Sequence, residues 1–158
     1  MKICDIMVPN PTPCHPGTNL AEAAALMWEH NCGALPVVDR ELRVQGMITD
    51  RDICIALGTR NLRAADISVS QVMSGRVFVC SPDSDIHEAL RCMREHHVRR
   101  LPVVAHDGRL EGILCIDDIV LNAQWAETRT VDLSFRDVIR VLRGVTYPAR
   151  PCAAAIAA

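Results

Sequence analysis

Apolar residues at Leu20, Ala23, Ala24 and Met27 recur at helical spacing, and Ile86, Ala89, Leu90 and Met93 do the same further along. Each run follows a proline (Pro16, Pro82) and a hydroxyl residue, so Thr18 and Ser84 are the expected N-caps. After each helix stands a short, wholly apolar stretch, "ALPVVD" from Ala34 or "RLPVVA" from Arg100. Neither alternates, which predicts strands buried on both faces. In the second case "HDG" follows as a hairpin turn. Then "VQGMIT" (44–49) or "LEGILC" (110–115) predicts a strand running directly into a second helix, 50–57 or 117–124, with Gly58 as the stop of the first. A short extended piece precedes each set: "TPC" (12–14) and "VFVC" (77–80).

The two sets are copies. Residues 5–53 align with residues 71–119 without a gap at an offset of 66. Identities include Met7/Met73, Cys14/Cys80, Met27/Met93, Leu35/Leu101, Gly46/Gly112 and Asp52/Asp118. The unit is β-α-β-β-α made twice. Helices on one face of its sheet leave the other face apolar, and the second copy is the natural partner for that face. The expected fold is therefore α/β (of α+β type). Two motifs pack through their sheets about a pseudo-twofold axis, which creates two related clefts, and a C-terminal helix follows. Motif 1 spans 1–58, a linker 59–68, motif 2 69–123, and a helix and tail 124–158. Within the last part, "SFRDVIRVLRG" (134–144) reads as an amphipathic helix capped by Ser134 and ended by Gly144. Its apolar stripe is Val138, Ile139 and Leu142, and the Ala-rich tail from 148 is expected to be disordered.

Composition narrows the function. A formal charge of -2 and the lack of any long basic run argue against nucleic acid or an anionic membrane as partner. No stretch reaches the roughly 20 apolar residues that span a bilayer, and the first residues are no signal peptide, so a cytoplasmic protein is expected. Eight cysteines occur without a C-x-x-C pair, and several fall at apolar core positions, which favours reduced cysteines acting as small hydrophobes. No nucleophile motif or Walker-type loop is present, so no catalytic residue is assigned and no cofactor is required.

A tandem pair in which each copy carries a "LPVV" strand and a "GMITDRD"-like step from strand to helix (46–52, 112–118) resembles the cystathionine-β-synthase (CBS) domain pair, or Bateman module, over residues 3–123. The resemblance implies a non-catalytic regulatory or energy-sensing module. Its ligand would be an adenosine-containing molecule (AMP, ADP, ATP or a related adenosyl compound), and homodimers are common in the family. It also implies that Asp52 holds a ribose, with Thr49 near the ribose or phosphate. Thr49 stands where helix N–H groups and the dipole favour an anion. Gly46 lets the backbone lie close to a neighbour or ligand. Thr49-x-x-Asp52 is equally a capping box, and the two roles are compatible. The second copy keeps Asp118 but has Cys115 for the threonine, a weak hydrogen-bonding group.

If each cleft draws its cation from the opposite repeat, Thr49 and Asp52 meet Arg99 and Arg100 with His97 nearby, whereas the other cleft meets only Gly33 and Ala34. One competent and one degenerate site follow. The base slot would fall on Thr12 and Pro13, or on Val77 and Phe78. Two alternatives stand beside this reading. One is a ligand-free module for dimerisation or protein interaction. The other is a Cys/His metal or redox role around His30, Cys32, His96 and His97, for which no metal ligand set is assigned.

Overall fold

The computed structural model describes residues 1–125 and 131–146. The Ala-rich tail and Cys152 lie outside them. In chain order the elements are β1 (Val8–Pro9), α1 (Leu20–Glu29), β2 (Ala34–Val38), β3 (Val44–Thr49), α2 (Asp50–Arg60), α3 (Ile86–His96), β4 (Arg100–Val104), β5 (Leu110–Cys115), α4 (Ile116–Asn122) and α5 (Phe135–Thr146). The duplicated pattern is thus realised as two copies of helix, hairpin and helix.

Several boundaries differ from the sequence expectation. The N-caps of α1 and α3 are Asn19 and Asp85, one residue later than expected, accepting from Glu22 N and His87 N at 2.9 Å each. Thr18 Oγ1 instead accepts from His15 N in the preceding turn. Helix α2 runs through Gly58 to Arg60 and ends at Asn61 in the left-handed region (φ 51°), because an amide side chain tolerates that conformation as glycine does. The extended pieces "TPC" and "VFVC" make one parallel bridge each, Cys14 to Val37 and Cys80 to Val103. Pro11, Pro13 and Pro16 deprive the first of the amide donors a longer ladder would use.

Hairpin β2–β3 pairs Leu35 with Ile48, and β4–β5 pairs Leu101 with Leu114, each with an irregularity between its two valines. The turns are equal in length but differ in sequence. Gly108 takes φ +83° in the second hairpin, and its counterpart Leu42 takes φ +62° in the first, where a side chain is strained. The two hairpins meet where Arg43 bridges Arg109, a residue paired with its own repeat mate, which marks the pseudo-twofold axis.

The segment ahead of each repeat crosses to the other. Strand β1 pairs antiparallel with β5, placing Pro9 opposite Gly112 on a sheet edge, and Ser74 bridges Met47 in the same way. A side chain at Gly112 would meet Met7 Sδ and the Val8 carbonyl, and one at Gly46 would meet Met73 Sδ and the Ser74 carbonyl. The matched glycines therefore make room for the crossing strands. Ile3 and Ile6 are buried with Leu101 and Leu114, whereas Ile67 and Val69 are buried with Leu35 and Ile48. The expected linker, 59–68, therefore begins inside α2 and ends against the core at the buried Ile67.

Helix α5 packs chiefly on α3 and α4. Ser134 and Asp137 cap it reciprocally, as expected, but it continues through Gly144. Gly144 lies against the stem of Arg94, where any larger residue would clash. Val138, Val141 and Val145 form its buried face, and Ile139, expected within the stripe, is 58% exposed.

Candidate functional site

Thr49 ends β3 and caps α2. Its hydroxyl donates to Asp52 Oδ2 (2.7 Å), the same carboxylate oxygen accepts Thr49 N (2.9 Å), and Asp52 N returns to Thr49 Oγ1 (3.2 Å). The capping box is thus complete, and both residues still line a cleft of about 560 Å³. The opposite wall belongs to the second repeat: Val77, Phe78, His97, Arg99 and Arg100. The expected borrowing of cations across repeats is therefore what the fold produces.

The wall is braced from two sides. His97, in the left-handed region at the end of α3, donates from Nδ1 to the Gly144 carbonyl of α5 at 2.8 Å. Phe78 stacks on His96 with centroids 3.7 Å apart, and the Arg76 guanidinium lies 5.0 Å from the Phe78 ring centre. Sequence reasoning missed Arg51, Arg76 and Asp50, which also line this cleft. Arg76 sits directly before the expected Val77–Phe78 slot, and Arg51 is inside the quoted "GMITDRD" motif, so both were within sight.

The related cleft, about 440 Å³, contains Cys115 and Asp118 with Asp117, His30, Cys32, Gly33 and Ala34. Asp118 Oδ2 accepts Cys115 N at 2.7 Å, so half of the capping arrangement survives the change from threonine. Burial pushes the Cys115 thiol up to about 11, with Asp118 adding to the effect and Arg100 opposing it. Burial also raises Asp118, against the pull of the Cys115 N–H and with help from Asp117.

One expectation fails here. This cleft is not without a cation, because Arg100 lines it as well as the first. Arg100 starts β4 directly opposite Cys115 on β5, so its long side chain lies at the junction of the two clefts. Thr12 also falls in the Cys115 cleft and is separated from Thr49; Pro13 lines neither. The crossing of the leading segments explains this, since residues 8–12 follow β5 and residues 74–78 follow β3. Gly46 lies beneath Met73 instead of facing either cleft.

A third hollow, about 670 Å³, is apolar and lies between α1 and α2, lined by Ala24, Met27, Trp28, Ile53, Cys54 and Leu57. The corresponding surface of repeat 2 is where α5 sits. Elsewhere, burial pushes the Cys14 thiol up to about 11 and, with Cys92 near it, Cys80 to about 12, values suited to inert hydrophobes. Cys4 and Cys54 are exposed. Among the described residues no three His, Cys, Asp or Glu side chains gather as a metal ligand set, and no helix is long and apolar enough to cross a membrane.

Two internal copies, each with its helix-capping Asp at a shared cleft, are matched by a family model described as the CBS domain, at residues 3–59 and again at 69–123. This chain belongs to the CBS-domain family. As a tandem CBS pair it is 36% identical over 121 residues to the CBS domain-containing protein YhcV of Bacillus subtilis, which spans 77% of this chain and 84% of that protein. The crystal structure of Hypoxic Response Protein I with two coordinated zinc ions is 33% identical, with a TM-score of 0.71, covering 78% of this chain and all of that one. The CBS pair of protein MJ0100, in complex with 5-methylthioadenosine and S-adenosylmethionine, is 26% identical at a TM-score of 0.70, covering 77% and 94% of the two chains. CBSX2 in complex with AMP is 28% identical at 0.66, covering 76% and 93%. CBS pairs of this fold thus bind adenosyl ligands.

Proposed function

We propose that this CBS pair is a non-catalytic regulatory module that binds an adenosine-containing nucleotide in the Thr49 cleft, with the Cys115 cleft as a degenerate counterpart. The observation that carries the reading is the convergence, in one cleft, of the Thr49–Asp52 helix start with Arg99, Arg100 and His97 from the other repeat. Asp52 keeps lone pairs for a ribose diol, and the arginines are suited to phosphate. The relatives that hold AMP and adenosyl compounds support the ligand class. Calorimetric titration of AMP and ATP tests it: one equivalent per chain, lost in Asp52→Ala and kept in Asp118→Ala, is expected. Equal loss in both variants would remove the distinction between clefts.

A second reading is favoured by the bare α1–α2 hollow, where Trp28 is 88% exposed. Its occupant is a second copy of this chain, since the matching surface of repeat 2 is already filled by an apolar helix of the same chain. Light scattering checks this directly, with a dimer expected and a monomer expected for Trp28→Glu. A monomer in both cases would end that reading.

A further inference from the structure

The two clefts are built from equivalent positions but carry opposite charge. The Thr49 cleft brings Arg51, Arg76, Arg99 and Arg100 together against Asp50 and Asp52. The Cys115 cleft has Arg100 against Asp117 and Asp118, with His30 beside them. Repeat mates show where the difference arises: Arg51 is matched by Asp117, and Arg99 by Gly33.

The arginines are also in excess over the two carboxylates beside them. None of the four joins an ion pair among the described residues. Arg51, Arg76 and Arg99 are exposed, and a lone exposed arginine is ordinarily just solvated. Four in one cleft are different. They repel one another, and a multiply charged ligand relieves that repulsion where a singly charged one relieves it only in part. They also surround the start of α2, whose N–H groups and dipole favour the same sign of ligand. The two acidic residues do not offset them equally. Asp52 is partly buried and already accepts from Thr49, and Asp50 accepts the backbone N–H of Arg51.

We infer that the Thr49 cleft selects the polyphosphate tail of an adenosine nucleotide, ranking ATP above ADP above AMP, and that the Cys115 cleft disfavours any such tail. This rests on the nucleotide reading above and adds the charge of the ligand to it. Arg76 and Arg99 reach the tail from the two sides of the cleft, one from the segment crossing to β3 and one from the start of the second hairpin.

The test is calorimetry at fixed ionic strength with AMP, ADP, ATP and inorganic tripolyphosphate, on the full chain and on Arg76→Ala and Arg99→Ala. Both residues are exposed, and circular dichroism verifies that the variants are folded. Each added phosphate is expected to tighten binding by about 5- to 10-fold, and each substitution to weaken ATP by about 10-fold but AMP by about 2-fold. Tripolyphosphate alone is expected to bind more weakly than ATP. AMP binding as tightly as ATP would overturn the inference and leave the nucleotide reading standing. Tripolyphosphate matching ATP would keep the anion selectivity and remove the nucleoside from it. No binding by any of the four would overturn both.

Discussion

The helical faces of the two repeats start from the same sequence pattern and end in different states. In repeat 2, α5 covers α3 and α4 and buries Leu90, Met93 and Ile119 beneath Val138, Val141 and Val145. In repeat 1 the matching face of α1 and α2 is bare, with Trp28 88% and Leu57 37% exposed. The residues facing the added helix have changed accordingly. Arg94, whose stem lies along Gly144, stands where repeat 1 has Trp28, and Ala123 stands where it has Leu57. Duplication therefore supplies two equivalent scaffolds, and the segment after the second copy makes them unequal. The same helix reaches the Thr49 cleft through His97 and Gly144, so the asymmetry of the faces is joined to the asymmetry of the clefts.

The largest test of that comparison is a charge placed on each face. Val141 is 2% exposed, and Val141→Asp leaves an uncompensated buried carboxylate. A loss of about 4 kcal/mol is expected in urea unfolding. Leu57→Asp, on the face left bare within a single chain, is expected to change stability by no more than about 0.5 kcal/mol at dilutions where the chain is monomeric. A large loss at Leu57 would mean that the face is covered in solution, which points back to a second copy of the chain.

A smaller effect separates the two helix starts. Thr49→Ala removes both the cap on Asp52 N and the hydroxyl donated to the Asp52 carboxylate, so a loss of about 1 kcal/mol is expected. Cys115→Thr makes the reverse change in repeat 2, where the sulfur makes no capping hydrogen bond. It is expected to add about 0.5 to 1 kcal/mol. Denaturant midpoints of the two single variants and the double variant measure both. If Cys115→Thr gains nothing, the surviving bond from Cys115 N to Asp118 already provides what that helix start needs.

Much of this was legible because the chain states its architecture twice. The offset of 66 exposed the unit, and the repeated proline–helix–"LPVV" order located its strands and helices. Thr49, Asp52, Arg99 and Arg100 fell into one cleft as expected, since "HHVRR" precedes the strand that faces α2. What escaped was set by contacts between copies, which periodicity does not record. The exchange of leading segments put Thr12 with Asp118 and Phe78 with Thr49. The length of one arginine put Arg100 in both clefts. The α5 stripe was recognisable as amphipathic, but helical spacing alone could not say that Val141 and Val145 would be buried and Ile139 left out, or which repeat the helix would cover.

The smallest expected effect belongs to the aspartate at the start of α4, and pH reads it out. Asp118 is held above its ordinary 3.8, burial being the main cause and Asp117 adding to it, while the Cys115 N–H pulls the other way. A carboxyl raised in the folded state binds its proton more readily there than in the unfolded chain. Its ionised form therefore costs stability, fully above the raised value, and the cost fades as pH falls towards 3.8. Asp137 behaves oppositely. Burial pushes it up, but the Ser134 hydroxyl and N–H together with His87 and Arg140 leave it lowered. Its contribution is present above the ordinary value and lost as pH falls through the lowered one. Asn at 118 keeps an oxygen for Cys115 N and removes the charge. Asp118→Asn is thus expected to be slightly more stable than the parent at neutral pH, with the difference closing as pH drops to 3.8. Urea unfolding of the parent and Asp118→Asn across that pH range decides it. Parallel curves for the two would show that the ionised Asp118 carboxylate carries no cost in the folded chain.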